Sequence, residues 1–184
     1  MTYNNQFKNT YTYLLLAIAI ILPCFSAKAQ QLNARKDGTL IEQIDQVNNA
    51  QQSRDMISEL LDYAHQFRGV PYRYGSMSPR AFDCSGFTSY VFNHFGIKLD
   101  RTSRGQIHNG RRVARSEIQP GDLVFFSGRS AGNRIGHVGL VTKVDGDGHG
   151  FNFIHAATRT GITVSHIDET YYARRFMGAC RVLE

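Results

Sequence analysis

The sequence predicts a single α+β domain in which helices come first and an antiparallel sheet follows. Three observations lead there. Apolar residues recur at helical spacing up to Gly96, and runs of β-branched and aromatic residues dominate from Leu123 onward. The turn-rich Asp145-Gly146-Asp147-Gly148-His149-Gly150 joins two of those runs as a hairpin. At 184 residues, 42% hydrophobic and 20% charged, the chain has the length and composition of a globular protein with one proper core.

Residues 1–29 read as a cleaved secretory signal: Lys8 gives a positive n-region, Leu14 to Leu22 an apolar h-region, and Ala27-Lys28-Ala29 a small-x-small cleavage site. The mature chain then begins at Gln30 and is exported to the periplasm or cell envelope. The apolar run falls short of the roughly 20 residues that span a bilayer, so no membrane span is expected after cleavage. Lipidation at Cys24 is the competing reading, and Pro23 stands where lipid-attachment sites prefer a small residue. Cleavage removes Lys8 and Lys28 and no acid, leaving 19 bases against 15 acids and a net charge of +4. That balance suits loose attraction to an anionic wall polymer. It lacks the dense Lys/Arg run with interleaved aromatics that nucleic-acid binding asks for. A monomer is expected.

Residues 30–52 form a polar lead-in, rich in Gln and Asn, with Leu40, Ile41, Ile44 and Val47 at helical spacing. The catalytic-type domain is placed at 53–184. Its first helix is predicted from the N-cap Ser53 to about Phe67, stopped by Gly69 and Pro71. A loop from Pro71 to Phe82 leads to a second helix carrying Phe87, Val91, Phe92 and Phe95 and ended by Gly96, with Cys84 at its first turn. Strands are predicted at Leu123 to Phe126, Val138 to Lys143, Phe151 to Ala156, Ile162 to Ser165 and Met177 to Val182, with a short helix over 169–175.

A thiol at a helix N-terminus faces unpaired N–H groups and the positive end of the macrodipole, both of which favour thiolate. Position alone does not separate a reactive Cys84 from an inert buried thiol. A nucleophilic cysteine also needs an imidazole in reach. Of the seven histidines, His137 and His155 stand apart. With the hairpin centred on Gly146 they are equidistant from the turn, directly opposite one another and on one face, and a register slip of one residue would separate them. His137, directly after Gly136, is expected to begin a strand at an edge position that opens towards a cleft. His155 is the candidate to fix its tautomer. Zinc ligation by Cys84, His137 and His155 is the alternative, and the wide spacing lacks the close ligand pair such sites use. No metal and no cofactor are expected. Cys180, in the last strand, is read as a packed core thiol.

Five segments together resemble one family: Pro71-Tyr72-Arg73-Tyr74-Gly75, Phe82-Asp83-Cys84-Ser85-Gly86-Phe87, Pro120-Gly121-Asp122-Leu123-Val124-Phe125-Phe126, Gly136-His137-Val138-Gly139 and Phe153-Ile154-His155-Ala156. In this order the chain resembles the NlpC (NlpC/p-sixty) cysteine peptidases of the bacterial cell wall over residues 53–184. The resemblance implies a papain-like fold, with a nucleophile helix packed on an antiparallel sheet. It implies that Cys84 attacks a peptidoglycan stem-peptide carbonyl, that His137 acts as base then acid, and that His155 orients His137. Tyr72 matches a tyrosine placed to support the oxyanion with the Cys84 N–H. Asp83 and Ser85 match cleft-lining positions. Arg101, in Asp100-Arg101-Thr102-Ser103, is a substrate contact or a surface ion pair. Ser76, Ala81 and Val141 depart from the family pattern, at positions that bear on substrate preference. The function implied is a peptidoglycan hydrolase, a murein endopeptidase. The alternatives are a non-catalytic wall-binding module and an amidase or acyltransferase on the same fold.

Overall fold

The computed structural model describes residues 40–128, 132, 134–146 and 148–184. The expected signal, its cleavage site and Cys24 lie outside the described residues. The chain falls into two compact units, Met1–Gln51 and Gln52–Glu184. In the first, residues 40–51 are helical and leave Leu40, Ile41, Ile44 and Val47 exposed.

The second unit opens on a helix, α1 (52–65), which buries Leu60 and Ala64 and ends before Gly69, a left-handed position with φ 85°. Helix is already present at residue 40, so Ser53 is not an N-cap; its hydroxyl donates instead to the carbonyl of Glu184 at 2.8 Å. The segment expected to be a plain loop contains a short hairpin, β1 (Met77–Ser78) and β2 (Ala81–Phe82). Helix α2 (Cys84–His94) follows, then α3 (Ser103–Gln106), β3 (Arg111–Val113) and a 3-10 turn at Arg115–Glu117. Strand β3 went unpredicted because Arg111-Arg112-Val113 carries little apolar alternation. The rest comprises β4 (Leu123–Ser127), β5 (Ile135–Val144), β6 (Phe151–Ala157), β7 (Gly161–His166), α4 (Thr170–Ala173) and β8 (Phe176–Arg181).

The six-stranded sheet has the order β3-β8-β4-β5-β6-β7 and is antiparallel throughout. Two apolar layers follow from the period-2 alternation of its strands. Leu123, Phe125, Val138, Leu140, Ile154 and Ala156 meet Phe87, Val91 and Phe92 of α2. Val124, Phe126, Val141, Phe151 and Phe153 form the second layer, with Tyr172. Each fully buried aromatic or aliphatic side chain of this kind stabilises the fold by about 1.5–3 kcal/mol. The strand carrying His137 starts at Ile135 and runs between β4 and β6, so His137 sits within an inner strand and not at the opening of an edge.

The hairpin register also differs from expectation. Val144 pairs with Phe151 and Lys143 with Asn152, but Val141 pairs with Phe153 and Leu140 with Ile154. Thr142 is therefore an extra residue, a β-bulge. Continued from Leu140↔Ile154, the register sets Gly139 opposite His155 and places His137 two residues further along. The two histidines are diagonal neighbours on one face, not direct partners. Without the bulge, the loop register would set Leu140 opposite His155 and turn the two imidazoles to opposite faces.

Candidate active site

Helix α2 begins at Cys84 because the preceding residue caps it. Asp83 is extended, and its carboxylate accepts from the Gly86 N–H at 2.6 Å. Gly86 is needed there: a Cβ would strike the Ser76 carbonyl and lie 2.8 Å from the Asp83 carboxylate. The chain entering the helix is pinned from the other side, where the N–H of Arg73 donates to the Phe82 carbonyl and that of Phe82 to the Pro71 carbonyl. This brings Tyr72 beside Cys84 on a cleft of about 530 Å³, shared with Asp83, Ser85 and Arg101.

Cys84 is partly buried, and the backbone N–H groups of Ser85, Val138 and Cys84 itself lie where they favour its thiolate. Val138 belongs to β5 and directly follows His137, so the thiol lies near the strand that carries that histidine. Burial, together with the Asp83 carboxylate, pushes the Cys84 thiol above its ordinary range, and these outweigh the three N–H groups that pull it down. The helix end therefore does not make a resting thiolate, contrary to the expectation from position alone.

His137 Nε2 and His155 Nδ1 are 3.0 Å apart, with the rings edge to face. Gly139 makes this approach possible, since a Cβ there would meet the Phe153 ring at 2.6 Å and the His155 Cβ at 3.3 Å. His155 is fully buried, and its Nε2 lies 3.2 Å from the Tyr172 hydroxyl, which also bonds Ser165. Burial lowers His137 to about 4, and burial with the neighbouring His137 lowers His155 to about 3. Both imidazoles are neutral at pH 7. Protons arranged as His137 Nε2–H to His155 Nδ1, and His155 Nε2–H to the Tyr172 oxygen, leave His137 Nδ1 unprotonated and able to act as a base. A separation of 3.0 Å is that of a hydrogen bond with one proton between the two nitrogens.

Tyr172 is the residue the sequence reading missed. It belongs to α4, 17 positions from His155, and no motif marks it. A signal existed in principle: a buried imidazole needs a partner for its second nitrogen.

Asp83 and Arg101 form a bidentate ion pair, with Nη1 donating to Oδ1 at 3.0 Å and Nη2 to Oδ2 at 2.7 Å. Arg101 Nη1 also donates to the Ser85 hydroxyl at 3.1 Å. The Gly75 N–H adds a further donor to Asp83 Oδ2 at 2.8 Å. Tyr72, Asp83, Cys84, Ser85 and Arg101 thus share one cleft wall, His137 and His155 pair on β5 and β6, and Arg101 is both an ion-pair partner and part of that wall. Cys180 is buried and unpaired by disulfide, and its S–H donates to the Gln106 carbonyl at 3.4 Å.

Comparison with known proteins gives a consistent picture. A model described as the NlpC/P60 family matches residues 69–181. The chain is 31% identical over 177 residues to murein DD-endopeptidase MepS/murein LD-carboxypeptidase of Escherichia coli (strain K12), covering 91% of this chain and 89% of that one. It is 31% identical over 173 residues to the probable endopeptidase NlpC of the same organism, covering 94% and 99%. Among solved structures, an NlpC/P60 family protein from Bacillus cereus superposes with TM-score 0.63 at 30% identity, over 70% of this chain and 40% of that one. The NlpC/p60 domain of the peptidoglycan hydrolase SagA gives 0.56 at 27%, over 67% and 97%. The chain spans about two fifths of the length of the Bacillus cereus structure.

Proposed function

The chain belongs to the NlpC/P60 family, and from that premise we propose that it is a peptidoglycan hydrolase, a cysteine endopeptidase cutting an amide bond in wall stem peptides or their cross-links. The observation that supports the reading is the placement of Cys84 at the capped start of α2, near the Val138 N–H of the strand that carries a His137–His155 pair with nitrogens 3.0 Å apart. The similarity to a murein DD-endopeptidase over nine tenths of the chain supports the substrate class.

The chemistry starts from a neutral thiol and a neutral imidazole. His137 Nδ1 takes the thiol proton as sulfur adds to the amide carbonyl, so the thiolate forms only as it attacks. The negative charge on the carbonyl oxygen is met by an N–H at the start of α2 and by the Tyr72 hydroxyl. The C–N bond then breaks, and the imidazolium returns its proton to the leaving amine. Water, deprotonated by His137, hydrolyses the thioester and regenerates the thiol. His155 stabilises the imidazolium and is itself held by Tyr172. The domain occupies residues 53–184 of a chain exported through the signal at 1–29, acting as a monomer in the periplasm or cell envelope without metal or cofactor.

The test is release of soluble peptides from purified sacculi by the mature protein and by C84A. C84A is expected to lose at least about 10³-fold of the rate, as removal of a nucleophile does. Full release by C84A would overturn the mechanism. Sacculus binding by the wild type without release of any fragment would favour a wall-binding module instead.

A further inference from the structure

Resting on that reading, we infer that the cleft is a carboxylate receptor, with Arg104 and Arg101 recognising a free carboxylate of the stem peptide close to the scissile bond. Among the described residues Asp83 is the one acidic side chain on the cleft wall, and its two oxygens already accept from Gly86, Gly75, Ser85 and both Arg101 terminal nitrogens. A substrate ammonium group would find no free acceptor on it. The charge balance of the wall is then positive. Arg101 spends three of its five N–H donors on Asp83 and Ser85, leaving its Nε–H and one Nη2–H available. Arg104 is exposed on the same wall, and among the described residues its guanidinium has no hydrogen-bond or ion-pair partner.

The support beneath Arg104 is rigid. Gln106, fully buried, donates to the carbonyls of Ser85 and Asp100 and to the Ser89 hydroxyl, and accepts from Thr88. Thr102 caps α3 through the Gly105 N–H at 3.1 Å. The guanidinium is thus presented from an element tied to the nucleophile helix, and a planar fork of this kind suits a carboxylate. Stem peptides offer such groups at their isoglutamyl and diamino-acid residues and at the chain end. The receptor distinguishes peptides bearing the group from their carboxamides.

Synthetic stem peptides spanning the cut bond, with each carboxylate in turn replaced by carboxamide, test this directly. Wild type is expected to lose roughly tenfold in kcat/KM, mostly through KM, when one particular carboxylate is amidated, as for loss of a charge-assisted bidentate contact. R104Q is expected to show the same loss on the free-carboxylate peptide and to abolish most of the discrimination, whereas R104K retains part of it. Equal turnover of every amidated peptide by wild type, or equal losses by R104Q on acid and amide, would overturn the inference. Calorimetric titration of C84A and C84A/R104Q with the uncleaved free-acid and amide peptides separates this from the catalytic proposal. Weaker acid binding by the double variant supports the receptor even if turnover follows another route, and unchanged binding refutes it.

Discussion

At the residue scale, the reactive groups are set by burial more than by the helix end. Three backbone N–H groups favour the Cys84 thiolate, yet desolvation and Asp83 push the thiol above its ordinary range, and burial keeps His137 neutral down to about pH 4. The proton moves during attack. A preformed thiolate–imidazolium pair would be alkylated at a rate already constant near pH 6–7. Here the alkylation rate of Cys84 by iodoacetamide is expected to keep rising through pH 9, while the acid limb of kcat/KM lies well below 6.5. An alkylation rate independent of pH between 5 and 9 would contradict this. Arg101 shows the other lesson of this scale. Its sequence left ion pair and substrate contact open; three of its five donors go to Asp83 and Ser85, and the inferred receptor would use the other two.

At the element scale, one bulge decides the site. Thr142 absorbs the single residue by which the hairpin loop and the histidine pair would otherwise disagree. Its own side chain donates to the Asn152 carbonyl at 3.3 Å. Deletion of Thr142 removes the extra residue and leaves His137, Val141, Phe151 and His155 facing as they do. Sacculus digestion by this variant is expected to stay within about tenfold of wild type. Insertion of one alanine between Val138 and Gly139 turns His137 away from His155, and activity is expected to fall by more than about 100-fold. Circular dichroism and thermal melts establish that both variants fold. The reverse pattern would refute the assignment of the bulge. The helices obey more local rules: α2 starts where Asp83 caps it through the Gly86 N–H, three residues on.

At the scale of the whole molecule, the site costs acid stability. Both histidines have their proton affinity lowered from an ordinary 6.5, to about 4 and about 3. The unfolded chain therefore binds more protons than the folded one below pH 6.5. Stability is complete above that pH and is lost as pH falls from 6.5 towards 4 and then 3, on the order of 1 kcal/mol per pH unit for each histidine. Urea titrations of C84A, which keeps both rings, are expected to show the midpoint falling across this window. H155N should flatten the fall, and a midpoint independent of pH between 6.5 and 4 would contradict the burial argument.

The amino-acid sequence by itself determined the α+β order and marked Cys84 as the candidate nucleophile, because these depend on short-range rules: apolar periodicity in α2, a cysteine at its first turn, and β-branched runs after Leu123. It also carried the family motifs that identify the fold. Only the tertiary structure decided how His137 meets His155, because strand register depends on a loop and a bulge that a two-residue period cannot reveal. It alone brought in Tyr172, paired Asp83 with Arg101 across 18 positions, and left Cys84 protonated. Desolvation and long-range hydrogen bonds are properties of packed neighbours, and no local segment holds them.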